Sequence, residues 1–204
     1  MKKLIYLLSI NIILIPNMCF ANLIHPLDEI PFYDDGLYSM FIEIPAGTKE
    51  KWEVNHKSGE LEIQYKDSKK RIIQFLSYPG NYGFIPQTIA GDNDPIDVID
   101  LDGAKDRGSV EKVKIIGGLY FMDKGEVDVK LIGVSNESFF SKYSDINDLL
   151  MDHYAAIEIV KKWFESYKKP GKMVFYRFIN KNESLDMIKN GHKKWKKTMK
   201  KEKL

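Results

Sequence analysis

The sequence predicts an α+β protein in which a small closed β-sheet carries helices against it. Three observations lead there. Short alternating segments parted by Pro and Gly turns fill the first part of the chain, and a helical periodicity with a sharp stop appears only after Asp148. The 204 residues, 44% hydrophobic and 29% charged, contain no internal repeat and no long Gly/Ser/Pro linker, as expected of one globular domain with a sufficient core. Many short strands with turns between them close into a barrel or pack as a sandwich, and separate helices then cover the result.

The elements follow in order. Lys2 and Lys3 precede an apolar run from Leu4 to Ile15, Pro16 ends it, and Cys19-Phe20-Ala21 supplies small residues at cleavage positions. This is the layout of a secretory signal, too short to span a bilayer comfortably. Residues 1–21 are therefore expected to be removed after Ala21, with one domain over 22–204 left outside the cytoplasm, in a periplasm first of all. A retained anchor and a lipoprotein signal ending at Cys19 are the alternatives. Strands are expected at Ser39–Ile44, Lys51–Val54, Glu60–Tyr65, Arg71–Leu76, Val110–Ile116, Leu119–Met122 and Val127–Val134, each ended by a turn signal such as Pro45-Ala46-Gly47. Between Asp148 and Lys168, Leu150, Tyr154, Ile157, Val160, Phe164 and Tyr167 recur at helical spacing until Pro170-Gly171. A strand at Met173–Ile179 follows. Leu185, Ile188, His192, Trp195 and Met199 then mark an amphipathic helix.

Charge and cysteine content exclude several classes. Cys19 is the only cysteine, so a mature chain can form no disulfide. Without Lys2 and Lys3 the chain has 29 basic and 29 acidic residues. Seven lysines and one glutamate fall in 192–204, which leaves residues 22–191 with 22 basic and 28 acidic residues, a net of −6. An acidic body argues against nucleic-acid binding and is compatible with cation binding. A lysine-rich last helix reads as a solvated face.

The densest chemical signal is Gly91-Asp92-Asn93-Asp94-Pro95-Ile96-Asp97-Val98. Three carboxylates in six residues repel one another unless positive charge lies between them. Pro95 denies the backbone a donor, so the segment reads as a rigid turn rather than a ladder strand. Closely held hard oxygens suit Mg²⁺, Mn²⁺ or Ca²⁺; a solvated acidic loop is the plainer alternative. In Asp123-Lys124-Gly125-Glu126-Val127-Asp128-Val129-Lys130, an extended backbone from Glu126 puts Glu126, Asp128 and Lys130 on one face. Lys51 and Glu53 share a strand face. Tyr78-Pro79-Gly80-Asn81-Tyr82-Gly83-Phe84 offers phenols beside turns, and Tyr167-Lys168 closes the first helix. Singly, each of these reads as structural.

Taken together and in this order, these residues resemble the soluble family I inorganic pyrophosphatases. Asp92 to Val98 matches that family's D-x-D-P-hydrophobic-D-hydrophobic signature at every position. Ile42–Ala46, Lys51–Glu53, Tyr78–Gly83, Asp123–Lys130 and Phe164–Lys168 are similar to family segments in the same sequence order. The resemblance implies an OB-like five-stranded barrel with flanking helices, a homohexamer, and hydrolysis of inorganic diphosphate with several Mg²⁺ ions, Mn²⁺ or Zn²⁺ serving as substitutes. By position it implies that Asp92, Asp97 and Asp128 hold activating metal ions and that Asp123 holds ions arriving with substrate. Glu43 and Glu53 would be supporting carboxylates on the metal side. Asp94 would take or orient the proton of the attacking water, with Tyr78 beside it. Lys51, Tyr82, Lys130, Tyr167 and Lys168 would bind phosphate. The chain is one residue shorter than the family pattern between Glu43 and Lys51 and several longer between Gly59 and Tyr78. Arg71, then Lys70, best meets the place of the phosphate-binding arginine. The rival readings are a barrel that binds cations or phosphate without turnover, a phosphate-ester hydrolase, and a membrane or nucleic-acid partner working through the lysine tail.

Overall fold

The computed structural model describes residues 24–202; the proposed leader, residues 1–21, lies outside them. Strand β1 (Tyr33–Asp34) leads into β2 (Leu37–Ile44), followed by β3 (Trp52–Val54), β4 (Leu61–Ile63) and the short hairpin β5 (Tyr65–Lys66) and β6 (Lys69–Lys70). Then come β7 (Asn81–Ile85), β8 (Ile96–Asp100), β9 (Val110–Asp123), β10 (Glu126–Ser135), α1 (Ile146–Ser166), β11 (Met173–Asn180) and α2 (Lys181–Glu202).

The main sheet runs β1-β2-β7-β8-β10-β9-β11, and an additional pairing of β2 with β9 closes it. The closed ring is β2-β7-β8-β10-β9, a five-stranded barrel of OB type, antiparallel except where β8 meets β10. Closure leaves these five strands without a free edge. Strand β9 is long enough to pair with β2 at its start and with β11 from Gly117 onward, and its register shifts against β10 at Ile116 and against β11 at Tyr176. The two strands expected at 110–116 and 119–122 are thus one.

Inward side chains make the interior. Ile42, Val98, Val113, Ile115 and Leu131 are fully buried within the barrel, while Ile44, Ile99, Phe121, Ile132 and Phe164 join it to α1. Burying a side chain of this size stabilises by about 1.5–3 kcal/mol, so this packing dominates the fold. Gly83 shows how tightly β2 and β7 close, because a Cβ there would stand 1.8 Å from Phe41 O.

Helix α1 starts at the Asp145 N-cap, whose carboxylate accepts from Asn147 N (2.9 Å) and also from Lys181 N (3.0 Å) at the start of α2. His153 has non-helical φ/ψ, and this kink resets the helix phase. Ile146, Leu149, Ile157, Val160, Trp163 and Phe164 are therefore buried, and Tyr154, expected on the core face, is 54% exposed.

Three expectations need correction. Arg71–Leu76 is no strand; Ile72 makes a single bridge with Glu50, and the chain then turns. Asn81–Ile85 and Ile96–Asp100, the latter read with the aspartates as turn, are central barrel strands. Pro95 ends ladder pairing only up to itself, and Asp97 lies in register with Phe84.

Candidate functional site

At one mouth of the barrel a cavity of about 300 Å³ is lined by Glu43, Lys51, Glu53, His56, Arg71, Tyr82, Asp92, Asp94, Asp97, Asp123, Asp128, Lys130, Tyr167 and Lys168, with Leu27, Val54, Phe84 and Pro95 as apolar wall. Of the residues given a site role from the sequence, the alternative Lys70 is absent from this lining, and so is Tyr78. It is buried behind the cavity, its ring 4.3 Å from Trp163 and 5.5 Å from Tyr82.

The barrel explains the convergence. Strand β8 carries Asp97 and the neighbouring β10 carries Asp128 and Lys130. The loop Asp92–Pro95 precedes β8, and Asn93 takes the left-handed conformation at φ +73° that lets it turn. Asp94 N donates to Asp92 Oδ1 (3.1 Å), and Ala90 N to Asp94 O (2.7 Å). Asp123 ends β9 beside the tight Lys124-Gly125 turn. Glu43, next to last in β2, accepts from Val54 N at Oε1 (2.9 Å), so one buried carboxylate fixes β3 to the barrel. Tyr167, the C-cap of α1, stacks on Trp163 at 4.6 Å.

Arg71 reaches the cavity because Lys51 N donates to Arg71 O (2.9 Å) and Arg71 N to Gln64 O (2.8 Å), which lays 71 against β3. The extra chain length between Gly59 and Tyr78 includes the β5–β6 hairpin, turned at Asp67 and Ser68 with φ +52° and +61°. Gln64 then organises two site groups: its amide donates to Glu53, and its Oε1 accepts from Arg71 Nη1 (2.5 Å). Lys70 is exposed on that hairpin and away from the lining.

Like charges are interleaved with unlike ones. Lys130, 5% exposed, sets its ammonium between Asp97 and Asp128 (2.6 Å to the latter) and 3.3 Å from Tyr82 Oη. Lys168 bonds Asp123 (2.7 Å), and Lys51 bonds Glu53 (3.1 Å) over the Tyr82 ring. Burial opposes the charge on Lys130, but Asp97 and Asp128 outweigh it and hold its pKa above the ordinary lysine value. Lys51 is likewise raised against burial by Tyr78, Glu43 and Glu53. Burial pushes the Glu43 carboxyl up to about 7 and the Tyr78 phenol up to about 12, in both cases despite Lys51. Burial, and then Asp92, raise Asp94.

Among the described residues no three carboxylates or imidazoles converge into a ready-made cation site, since lysine ammonium groups stand between the oxygens. The donor set nevertheless fits hard divalent ions. Asp92, Asp97, Asp123 and Asp128 offer only oxygens, and the positions of Lys130 and Lys168 show where positive charge is demanded. Asp123 Oδ1 is buried with no hydrogen-bond partner, an orphaned lone pair facing this set.

Three contributors were not assigned a role from sequence. His56 Nε2 lies 3.7 Å from Asp94 Oδ1 at the cavity mouth, although His56-Lys57-Ser58-Gly59 reads only as a turn. Gln64 alternates in its strand like any solvated residue. Asn81, quoted inside its motif, is fully buried: Nδ2 donates to Asp100 Oδ2 (3.0 Å) and Gly103 O (2.9 Å), and Oδ1 accepts from Ala46 N (3.0 Å) and Lys105 N (2.9 Å). It clamps the loops at Ala46 and at Gly103–Lys105 to the end of β8.

Residues 40–196 match the family model described as inorganic pyrophosphatase. An inorganic pyrophosphatase of Pongo abelii is 33% identical over 202 residues, covering 85% of this chain and 69% of that one. Among solved structures, a pyrophosphatase of the bacterium Helicobacter pylori superposes with a TM-score of 0.72 at 29% identity, covering 82% of this chain and 99% of that one. A truncated Trypanosoma cruzi vacuolar soluble pyrophosphatase in complex with PPi gives 0.81 at 25% identity, covering 87% and 80%.

Proposed function

The chain belongs to the inorganic pyrophosphatase family, and on that premise we propose that it hydrolyses inorganic diphosphate to two phosphates at the acidic cavity, with Mg²⁺ as the working cation. The observation that carries the reading is the gathering of Asp92, Asp94, Asp97, Asp123 and Asp128 with Lys51, Arg71, Lys130, Tyr167 and Lys168 in one cavity. That is a set of hard oxygens interleaved with a set of anion donors, as a multiply charged phosphate with divalent counter-ions requires.

In this reading Asp92, Asp97 and Asp128 hold activating cations, Asp123 holds further ones, and Glu43 and Glu53 support them. Such cations supply Lewis-acid neutralisation of phosphate oxygens and make a nearby water more acidic. The remaining chemistry belongs to side chains. Asp94 orients the attacking water and takes its proton. Lys51, Arg71, Lys130, Tyr167 and Lys168 neutralise the charge growing on the departing phosphate. Tyr82, beneath Lys51 and Lys130, fixes both ammonium groups. Tyr78 acts from behind, through Lys51 and Tyr82. Leu27, Val54 and Phe84 limit water on one side. No covalent nucleophile enters.

Asp97→Asn tests the assignment. We expect phosphate release to fall by orders of magnitude with an unchanged circular dichroism spectrum, and near wild-type turnover at limiting Mg²⁺ would overturn it. Ca²⁺, with longer and looser coordination, should inhibit. Export rests on the Lys2-Lys3 and Leu4–Ile15 layout together with Ala21. It is tested by sequencing the N-terminus of protein recovered outside the cytoplasm, where a start at Asn22 is expected and an intact Met1 would refute cleavage.

A further inference from the structure

The C-terminal helix α2 reaches the aspartate loop through contacts that no catalytic step above uses. Ile89 N donates to Gly191 O (3.2 Å), and His192 Nδ1 lies 2.8 Å from Gln87 O. Lys194 Nζ donates to Ala90 O (2.6 Å) and Asn93 Oδ1 (3.0 Å). Gly191 permits the approach, since a Cβ there would stand 2.7 Å from Ile96 Cδ1 and 3.2 Å from Ile89 O.

Behind the loop lies a second cavity of about 350 Å³, lined by Ala90, Ile96, Val127, Val129, Met187 and Gly191 among others. Asp92, Asp97 and Asp128 border both this cavity and the acidic one. The loop that presents these carboxylates is therefore not backed by close-packed core there. Gly91 to Asp94 are exposed, and the hydrogen bonds within the loop are short in range. Lys194 ties down Asn93, the residue between Asp92 and Asp94.

We propose that Lys194 is a positioning residue for the cation-holding loop. Through Asn93 and Ala90 it holds Asp92 and Asp94 in the arrangement that takes up divalent ions across an exposed span bordering the second cavity. The proposal rests on reading Asp92 and Asp97 as cation ligands. Charge and tether act in opposite senses. An ammonium near an acidic site repels incoming cations, so deleting it as a mere charge should tighten their binding slightly. Deleting it as a tether should weaken binding.

The test is a Mn²⁺ titration of the full chain without diphosphate, followed by the paramagnetic resonance of the free ion. Lys194→Ala should bind roughly tenfold more weakly, the low end expected for removing a partner that orients metal ligands. Exposed Lys193→Ala, which removes the same charge one residue away, should bind as wild type or slightly tighter. Lys194→Arg, able to donate to both acceptors, should stay within about threefold of wild type. Asn93→Gly keeps the positive φ, and its loss should not add to that of Lys194→Ala. With diphosphate, the Mg²⁺ concentration for half-maximal rate should rise in Lys194→Ala while kcat at saturating Mg²⁺ falls far less. Unchanged or tighter Mn²⁺ binding by Lys194→Ala, or equal loss in Lys193→Ala, would overturn the proposal. Because the binding readout needs no turnover, an inactive wild type would refute the hydrolase reading without touching this comparison.

Discussion

Replacing Lys130 with methionine should separate the charge of the site from its packing. The methionine chain retains most of the apolar stem, and the ammonium between Asp97 and Asp128 is lost. Removing one member of a buried ion pair costs about 3–5 kcal/mol, chiefly because the partner charges remain buried without compensation. Here the partners are 26% and 18% exposed, so solvent screens them in part and about 3 kcal/mol is the better expectation. For a domain of this size each kcal/mol moves the melting temperature by about 2–4 °C, giving a fall of about 6–12 °C in EDTA. Millimolar Mg²⁺ should shrink the gap by half or more, because a bound cation takes over the neutralisation and stabilises the folded state by mass action. Differential scanning calorimetry of both proteins in EDTA and in Mg²⁺ reads this directly. An equal fall in both solutions would mean that Lys130 is structural packing and that its carboxylate partners hold no cation.

Two further outcomes follow from buried polar groups behind the site. Burial holds Asp100 up to about 6 in the folded protein, against roughly 3.9 when unfolded. The folded state keeps this proton longer, so the stability it contributes is full below about pH 4 and is lost as pH rises through about 6. Asp100→Asn should match wild type in urea melts at pH 4 and exceed it by about 1–2 kcal/mol at pH 8, within the roughly 3 kcal/mol that two pKa units allow; equal midpoints at pH 8 would contradict this. Asn81→Ala leaves the N–H groups of Ala46 and Lys105 short of partners, and should destabilise by about 3 kcal/mol in urea with an unchanged slope. A loss below about 1 kcal/mol would show that water replaces the clamp.

What could be read from the sequence divides on physical grounds. Leu37–Ile44 and Glu126–Ser135 are buried over most of their length but are bounded by turn residues, Pro45-Ala46-Gly47 after the first and Lys124-Gly125 before the second, so the sequence marks them. Asn81–Ile85 is buried at every residue and Ile96–Asp100 at all but Asp97; without a period of two they read as motif and turn. Arg71–Leu76 has the composition of a strand, but beyond the bridge at Ile72 no partner strand meets it. The kink at His153 is invisible to a helical wheel, which is why Tyr154 was expected inside. The candidate site residues, which the structure gathers in one cavity, stand out in the sequence because carboxylates, lysines and tyrosines recur in a particular order. The groups that orient them, Gln64 and Lys194, act through contacts that no local pattern records, Lys194 from a full hundred residues along the chain.

The most direct measurement is the initial rate of phosphate release from diphosphate by the purified chain, with Mg²⁺ and again after chelation. Fast release that vanishes with the metal and returns on adding it back is the predicted result. A folded, Mg²⁺-loaded protein that releases no phosphate would contradict the account and leave the cavity as a site that binds without turnover.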